Sequence, residues 1–268
     1  MSVIAPYDRD ALRSQFRSAT PFPWIMIDGF LSPAFAAELA AAYPPFEQAV
    51  GMGRQFTAVN EHRKVQIVDY ARFPDPVKRL SDAVASPAFL ADLEHITGMP
   101  KLLWDSEFAG GGMHETASSG WLDVHVDFNF HDSLQAHRRL NILVFLNPQW
   151  DQSWGGLLEL WDDGVRDRVH GIVPAHNRCV VFETSQRSWH GVTAVSCPDG
   201  VARKSFAAYY YTREAPADWD GTKHSTVFKP RPDEYWKRHV AMPAESAARS
   251  LQRGVHQAKQ IVKKLIRS

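Results

Sequence analysis

The apolar run Ile25, Met26 and Ile27 in "PFPWIMIDGFL", closed by Asp28-Gly29, predicts a strand leading into a turn. A helix should follow it. Ser32 stands as N-cap, Pro33 takes the first helical position, and the alanine-rich "AFAAELAAAYP" must stop at Pro44-Pro45. Between 75 and 98, Val77, Leu80 and Val84, then Phe89, Leu90, Leu93 and Ile96, recur at helical spacing, which predicts helix on both sides of a break at Pro87. The first third of the chain therefore reads mostly as helical support.

From Leu102 to Thr212 the period changes. Short runs rich in β-branched and aromatic residues ("WLDVHVDFNF", "RLNILVFLN", "LLELWDD", "HGIVPAHNRCVVFET", "SFAAYYYT") alternate with the turn-forming "NPQWDQSWGG", "DDG" and "CPDG". Regular short strands with such punctuation predict a two-sheet β-barrel core flanked by N-terminal helices. The expected organisation is one domain over 1–242, with 1–100 as support and 101–213 as the β core. A basic amphipathic helix follows over 243–268. There Leu251, Val255, Ala258, Val262 and Leu265 form one helical seam, beside Arg249, Arg253, Lys259, Lys263, Lys264 and Arg267. Such a helix packs on its own domain, joins a second copy in a homo-oligomer, or lies against an anionic membrane surface.

Composition narrows the function classes. With 268 residues, 44% hydrophobic and 22% charged, the chain is long and apolar enough for a sizeable core. Its 30 basic and 30 acidic residues cancel, so no global field draws it to nucleic acid, which is not expected as a partner. Cys179 in an apolar run and Cys197 beside a proline fit reduced thiols. The start "MSVIAPYDRDALRSQF" lacks the character of a signal peptide, and nowhere do 18 apolar residues run together, so the expected location is cytoplasmic.

The chemistry concentrates in "WLDVHVDFNFH", residues 121–131. On a strand, residues two apart share a face, so His125 and Asp127 can reach one metal ion while Val124, Val126 and Phe128 point away. His190 in "SWHGVTAV" supplies a distant third ligand. Two histidines and one carboxylate leave open positions, the donor set of non-haem Fe(II) oxygenases. Asp123 shares the parity of this pair and is not excluded by periodicity; His131 reads as a loop residue, and His137 sits in a cation-rich setting beside Arg138 and Arg139. An isolated H-x-D motif has little specificity. Thirteen residues beyond His190, however, Arg203 and Ser205 repeat the two-residue offset, and a guanidinium with a neighbouring hydroxyl makes a carboxylate clamp.

Together, "HVDFN", "RRLNILVFLNPQWDQSWGGLLELWDD" and "VPAHNRCVVFETSQRSWHGVTAVSCPDGVARKSFAAYYYT", with the opening "PFPWIMIDGFLSPAFAAEL", resemble the Fe(II)/2-oxoglutarate-dependent dioxygenases of the prolyl-4-hydroxylase-like branch. The resemblance implies a double-stranded β-helix, a jelly-roll or cupin-like core. It implies iron on His125, Asp127 and His190, with the distal carboxylate of 2-oxoglutarate on Arg203 and Ser205. Arginine stands where many prolyl-hydroxylase-like members carry lysine. The implied reaction consumes O2 and 2-oxoglutarate, with room for ascorbate as an accessory reductant, releases succinate and carbon dioxide, and hydroxylates an unactivated C–H bond. The implied substrate is a small molecule, an amino acid, a peptide or a saccharide. With Asp127 in place, hydroxylation is favoured over halogenation; demethylation or desaturation on the same fold is the near alternative, and a non-catalytic metal- or ligand-binding cupin-like barrel the distant one.

Around this set, Asn141 and Arg139 share a predicted strand face and are candidates to bind the oxo acid or the substrate, against a plainer role at a strand edge. Asn129 continues the His125 and Asp127 face and is placed to orient a ligand. Trp189 should be core, Trp150, Trp154 and Trp161 should pack a hairpin or wall a substrate, and "AGGGMHE" (109–115) reads as a flexible loop.

Overall fold

The computed structural model describes residues 2–234 and Lys237, so the expected helix over 243–268 lies outside the described residues. Five helices and thirteen strands make up the described chain: α1 (Arg9–Ser18), β1 (Trp24–Asp28), α2 (Pro33–Ala42), α3 (Phe46–Met52), β2 (Arg54–Thr57), β3 (Glu61–Ile67), α4 (Asp75–Ala85), α5 (Pro87–Thr97) and β4 (Leu103–Trp104), then β5 (Gly112–Val126), β6 (Phe130–His131), β7 (Ala136–Phe145), β8 (Leu158–Trp161), β9 (Arg168–Ile172), β10 (Arg178–Glu183), β11 (His190–Val192), β12 (Ala202–Thr212) and β13 (Val227–Lys229).

The strands form one curled sheet in the order β1-β10-β7-β12-β5-β11-β8-β9. Every pairing along it is antiparallel. Strand β5 joins the two walls: its first half, Gly112–Ala117, pairs with β12, and its second half pairs with β11. This is the double-stranded β-helix expected from the resemblance. Alternation of side chains along the strands separates two interiors. Leu140, Ile142, Val144, Phe206, Ala208 and Tyr210 face the helices, packing with Phe16, Leu39, Val77, Leu80, Leu93 and Ile96 in one buried cluster. The leucine, isoleucine, valine and phenylalanine side chains among them each contribute about 1.5–3 kcal/mol on burial. The intervening residues, including Asn141, Leu143, Ser205 and Tyr209, face a cavity between the walls.

Helices α2, α4 and α5 fall where the apolar spacing and prolines put them, and β1 forms at the Ile25–Ile27 run. The first third is nevertheless less helical than expected. It adds the hairpin β2–β3, whose second strand pairs with β5 and extends the barrel wall. The "AGGGMHE" stretch is also not a loop beyond Gly111, because β5 begins at Gly112. Gly112 has φ +85°, and a Cβ there would lie 2.1 Å from the Ile67 carbonyl oxygen, so glycine is required by the close approach of β3. Both cysteines are free and buried. Among the described residues no helix is long and apolar enough to cross a membrane.

Candidate metal and oxo-acid site

His125 on β5 and His190 on β11 are direct register partners, and Asp127 follows immediately after β5. Ligand atoms of the three residues lie within 4.8 Å of one another. Asp127 Oδ1 stands 3.7 Å from His125 Nε2, and Oδ2 3.5 Å from His190 Nε2. Each imidazole is turned by its other nitrogen: His125 Nδ1 donates to the Asp123 carbonyl at 2.9 Å, and His190 Nδ1 to the Ser188 carbonyl at 2.8 Å. This fixes the tautomer that leaves both Nε2 lone pairs aimed at the shared space.

The protonation states suit ligation. Burial, aided by neighbouring His125 and opposed by Asp127, pushes His190 down to about 3, so its imidazole is neutral near pH 7. Burial alone would raise the Asp127 carboxyl, but Arg138, His190 and His125 outweigh it and hold the group well below the usual carboxylate range. Arg138 Nη2 lies 3.1 Å from Asp127 Oδ2, and Asn141 Nδ2 donates to the same oxygen at 2.8 Å. Two imidazoles and one carboxylate are the hard and borderline donors that a divalent iron takes, so the residues fit that ion.

A cavity of ≈ 230 Å³ opens from the triad. Arg203 and Ser205 line it, as does His114, the register partner of Ser205. Arg203 Nε donates to the Gly156 carbonyl at 2.7 Å, and the guanidinium carbon sits 4.9 Å from the centre of the Phe145 ring. Its Nη2 and the Ser205 hydroxyl are buried without a hydrogen-bond partner among the described residues. Burial lowers Arg203 to about 10, which leaves it charged at neutral pH. A buried cation with a free donor, beside a free hydroxyl, is costly unless an anion completes it. A carboxylate fits that requirement.

The other expected residues fall as follows. Asn141 lies on the cavity wall, but Arg139 does not. The β7–β12 register slips at this point: Tyr210 pairs with Leu140, whereas Tyr211 pairs with Arg138. The extra residue is Arg139, and the resulting bulge puts Arg138 and Asn141 on the same side, where Arg138 Nη2 donates to Asn141 Oδ1 at 2.7 Å. Arg139 turns away to donate to Thr212 Oγ1 at 3.2 Å. Phe128, expected to point away, lines the cavity, because β5 has ended and alternation no longer applies. His131 is buried on β6 rather than in a loop, with Nδ1 accepting from the Leu134 amide. His137 packs against Trp219 at 4.4 Å between centroids. Trp161 and Trp189 are buried with Val124 and Val126, and Trp150 and Trp154 pack on each other. Asp123 and Asn129 flank the triad without facing it; their partners are described below. His114, Tyr209, Thr226 and Phe228 also line the cavity and had no motif to mark them.

Residues 111–211 match the family model of the 2OG-Fe(II) oxygenase superfamily. The superfamily is matched over the strands from β5 into β12, which carry His125, His190 and Arg203. Its name states the metal and cosubstrate, Fe(II) and 2-oxoglutarate, for which the triad and the Arg203 pocket have fitting donors. The chain is 28% identical over 133 residues to the mouse (Mus musculus) prolyl 3-hydroxylase OGFOD1, a match over 44% of this chain and 24% of that protein. It thus spans about a quarter of that relative's length. In fold, the chain is similar to the prolyl hydroxylase of Trichoplax adhaerens solved with a hypoxia-inducible-factor peptide: TM-score 0.52, 19% identity, 76% of this chain and 89% of that one. It is equally similar to a Pseudomonas putida prolyl-4-hydroxylase: TM-score 0.52, 16% identity, 75% of this chain and 99% of that one.

Proposed function

We propose that the protein is an Fe(II)- and 2-oxoglutarate-dependent hydroxylase with His125, Asp127 and His190 as iron ligands. The observation that carries this reading is a two-histidine, one-carboxylate cluster opening into a cavity also lined by the buried Arg203 guanidinium, whose Nη2 has no hydrogen-bond partner among the described residues. Iron, 2-oxoglutarate and O2 together supply the oxidising power for C–H hydroxylation, with succinate and carbon dioxide as co-products. The chain's part is positional. Arg203 and Ser205 take the distal carboxylate of the oxo acid, and Asn141 and Arg138 occupy Asp127 Oδ2, leaving Oδ1 for the metal. Leu122, Leu143, Leu158, Phe182 and Val192 supply the apolar part of the cavity lining. Aromatic side chains from Phe128, Tyr209 and Phe228 border the triad. A prolyl residue of a peptide is the substrate we favour among small molecules, peptides and saccharides. The activity named for the mouse relative supports it, and so does an aromatic mouth suited to a compact apolar ring.

Succinate formation tests the reading. Anaerobic Fe(II) and 2-oxoglutarate should give a weak visible charge-transfer band, and oxygen should then yield succinate. Asp127→Ala should abolish both. Arg203→Ala should raise the KM for 2-oxoglutarate by roughly 10- to 100-fold, the worth of a charge-assisted hydrogen bond, with iron affinity little changed. Absence of both band and succinate in the unaltered protein sinks the proposal.

A further inference from the structure

Beyond β12 the chain comes back across the mouth of the cavity as residues 222–234. Strand β13 in this stretch pairs with Val126, His125 and Val124. Phe228 lies opposite His125, with ring centroids 5.4 Å apart, and Thr226 and Phe228 both line the cavity. Three residues at a sheet edge are a weak attachment on their own. The stretch is instead fastened at both ends by side chains. At its start, Asn129 Nδ2 donates to the Thr222 carbonyl at 2.8 Å, and Asn129 Oδ1 accepts from the His224 amide at 3.0 Å.

At its end, Arg231 enters a socket built by three barrel strands. Its Nε and Nη2 donate to Glu159 Oε2 at 2.9 and 2.6 Å, and Nη1 donates to Asp123 Oδ1 at 3.2 Å. Nη2 also reaches the carbonyls of Leu122 at 3.2 Å and Val192 at 3.1 Å. Asp123 and Glu159 are 0% and 1% exposed, so each needs a cation to be tolerated. Lys237 Nζ adds a second one to Asp123 Oδ1 at 2.6 Å. Alternate residues of one short segment thus divide the work: Asp123 and Asn129 hold the crossing stretch, and His125 and Asp127 between them face the metal centre.

We infer that residues 222–234 are a latched strap and that Arg231 is a positioning residue, holding β13 closed over the triad so that Phe228 and Thr226 set what reaches it. The chemistry behind the strap rests on the hydroxylase reading; the strap itself does not. Arg231 touches neither the triad nor the Arg203 pocket, and its bonds join β5, β8 and β11, the strands that carry or flank both histidines. Loss of the latch should release β13 from its C-terminal end, because its remaining holds are the short edge pairing and the Asn129 contacts with Thr222 and His224.

The test uses metal-free full-length protein. Arg231→Met alone leaves two buried carboxylates with one weaker-held cation each, Lys237 for Asp123 and Arg168 for Glu159, so the working variant is Arg231→Met/Asp123→Asn/Glu159→Gln. Two quantities are followed by mass spectrometry: hydrogen exchange of the 226–229 amides, and carbethoxylation of His125 and His190 by diethyl pyrocarbonate, with buried His131 as internal control. Both should rise roughly tenfold or more, as for a locally opened segment, while His131 is unchanged and thermal unfolding stays cooperative. Faster amide exchange with unchanged His125 and His190 reactivity overturns the inference, as does unchanged exchange. If the triple variant does not fold, Phe228→Ala, which keeps the latch, must still speed modification of His125, and an unchanged rate overturns the inference. None of these readouts uses iron or 2-oxoglutarate. A protein that passes them but forms no succinate would lose the hydroxylase reading and keep the strap.

Discussion

Asp127 shows how much of the site's behaviour is set one atom at a time. Its Oδ2 accepts from Asn141 and lies against Arg138, so the carboxylate is held in one orientation and kept ionised in a buried setting. Glu115 is the opposite case. It is 1% exposed, neither of its oxygens has a hydrogen-bond partner among the described residues, and burial raises its carboxyl to about 7 despite Lys204. The folded chain therefore binds a proton at Glu115 more tightly than the unfolded chain does. Its contribution is present below the unfolded value near 4.5 and is lost as pH rises through about 7. Glu115→Gln should leave stability nearly unchanged at pH 5 and raise it by about 1–3 kcal/mol at pH 8, as measured by urea unfolding at the two pH values. A stability difference that does not grow with pH would contradict this account.

At the scale of elements, the bulge in β7 decides which of two adjacent arginines serves the site. Arg138→Met should weaken Co(II) binding, read by titration calorimetry, by roughly 10- to 100-fold through loss of the group that holds Asp127. Arg139→Met should change it by less than about threefold, because Arg139 bonds Thr212 instead. Equal effects would mean that the bulge does not partition the pair. The same bulge explains a limit of the sequence. Strand parity brings His125 to Asp127 and Arg203 to Ser205 because both pairs lie within unbroken or barely ended strands. Parity also pairs Arg139 with Asn141, and it fails there because one inserted residue reverses every face beyond it. Hairpin β2–β3 was hidden for a related reason. Its strands carry Arg54, Glu61, His62, Arg63 and Lys64, since much of their surface faces the cavity or solvent, so they have no apolar run to announce them. The crossing stretch 222–234 was illegible because its attachment depends on Asp123, Asn129 and Glu159, which are distant in sequence and ordinary in type.

For the whole molecule, the helices and the barrel were legible because a large core needs long apolar periodicity, whereas the cavity was not, since its lining is drawn from nearly every strand. The triad joins β5 to β11 in one wall, and Asp127 is bonded to Arg138 and Asn141 on β7 in the other, so a bound metal should stabilise the entire domain and not one corner of it. Fe(II) or Co(II) at about 100 times its dissociation constant should add about 2.7 kcal/mol to the folded state, a rise in Tm of roughly 5–10 °C by scanning calorimetry. Asp127→Ala should show no metal-dependent shift, and a shift that survives this change would place the ion elsewhere. The register pairing of His125 with His190 has one more consequence. The two residues meet only after a long intervening loop has closed, and such non-local pairings come late in folding. A metal held by both histidines should therefore bind after the barrel has closed. It inspects a finished barrel, and chains whose strands have slipped by one residue are left without it.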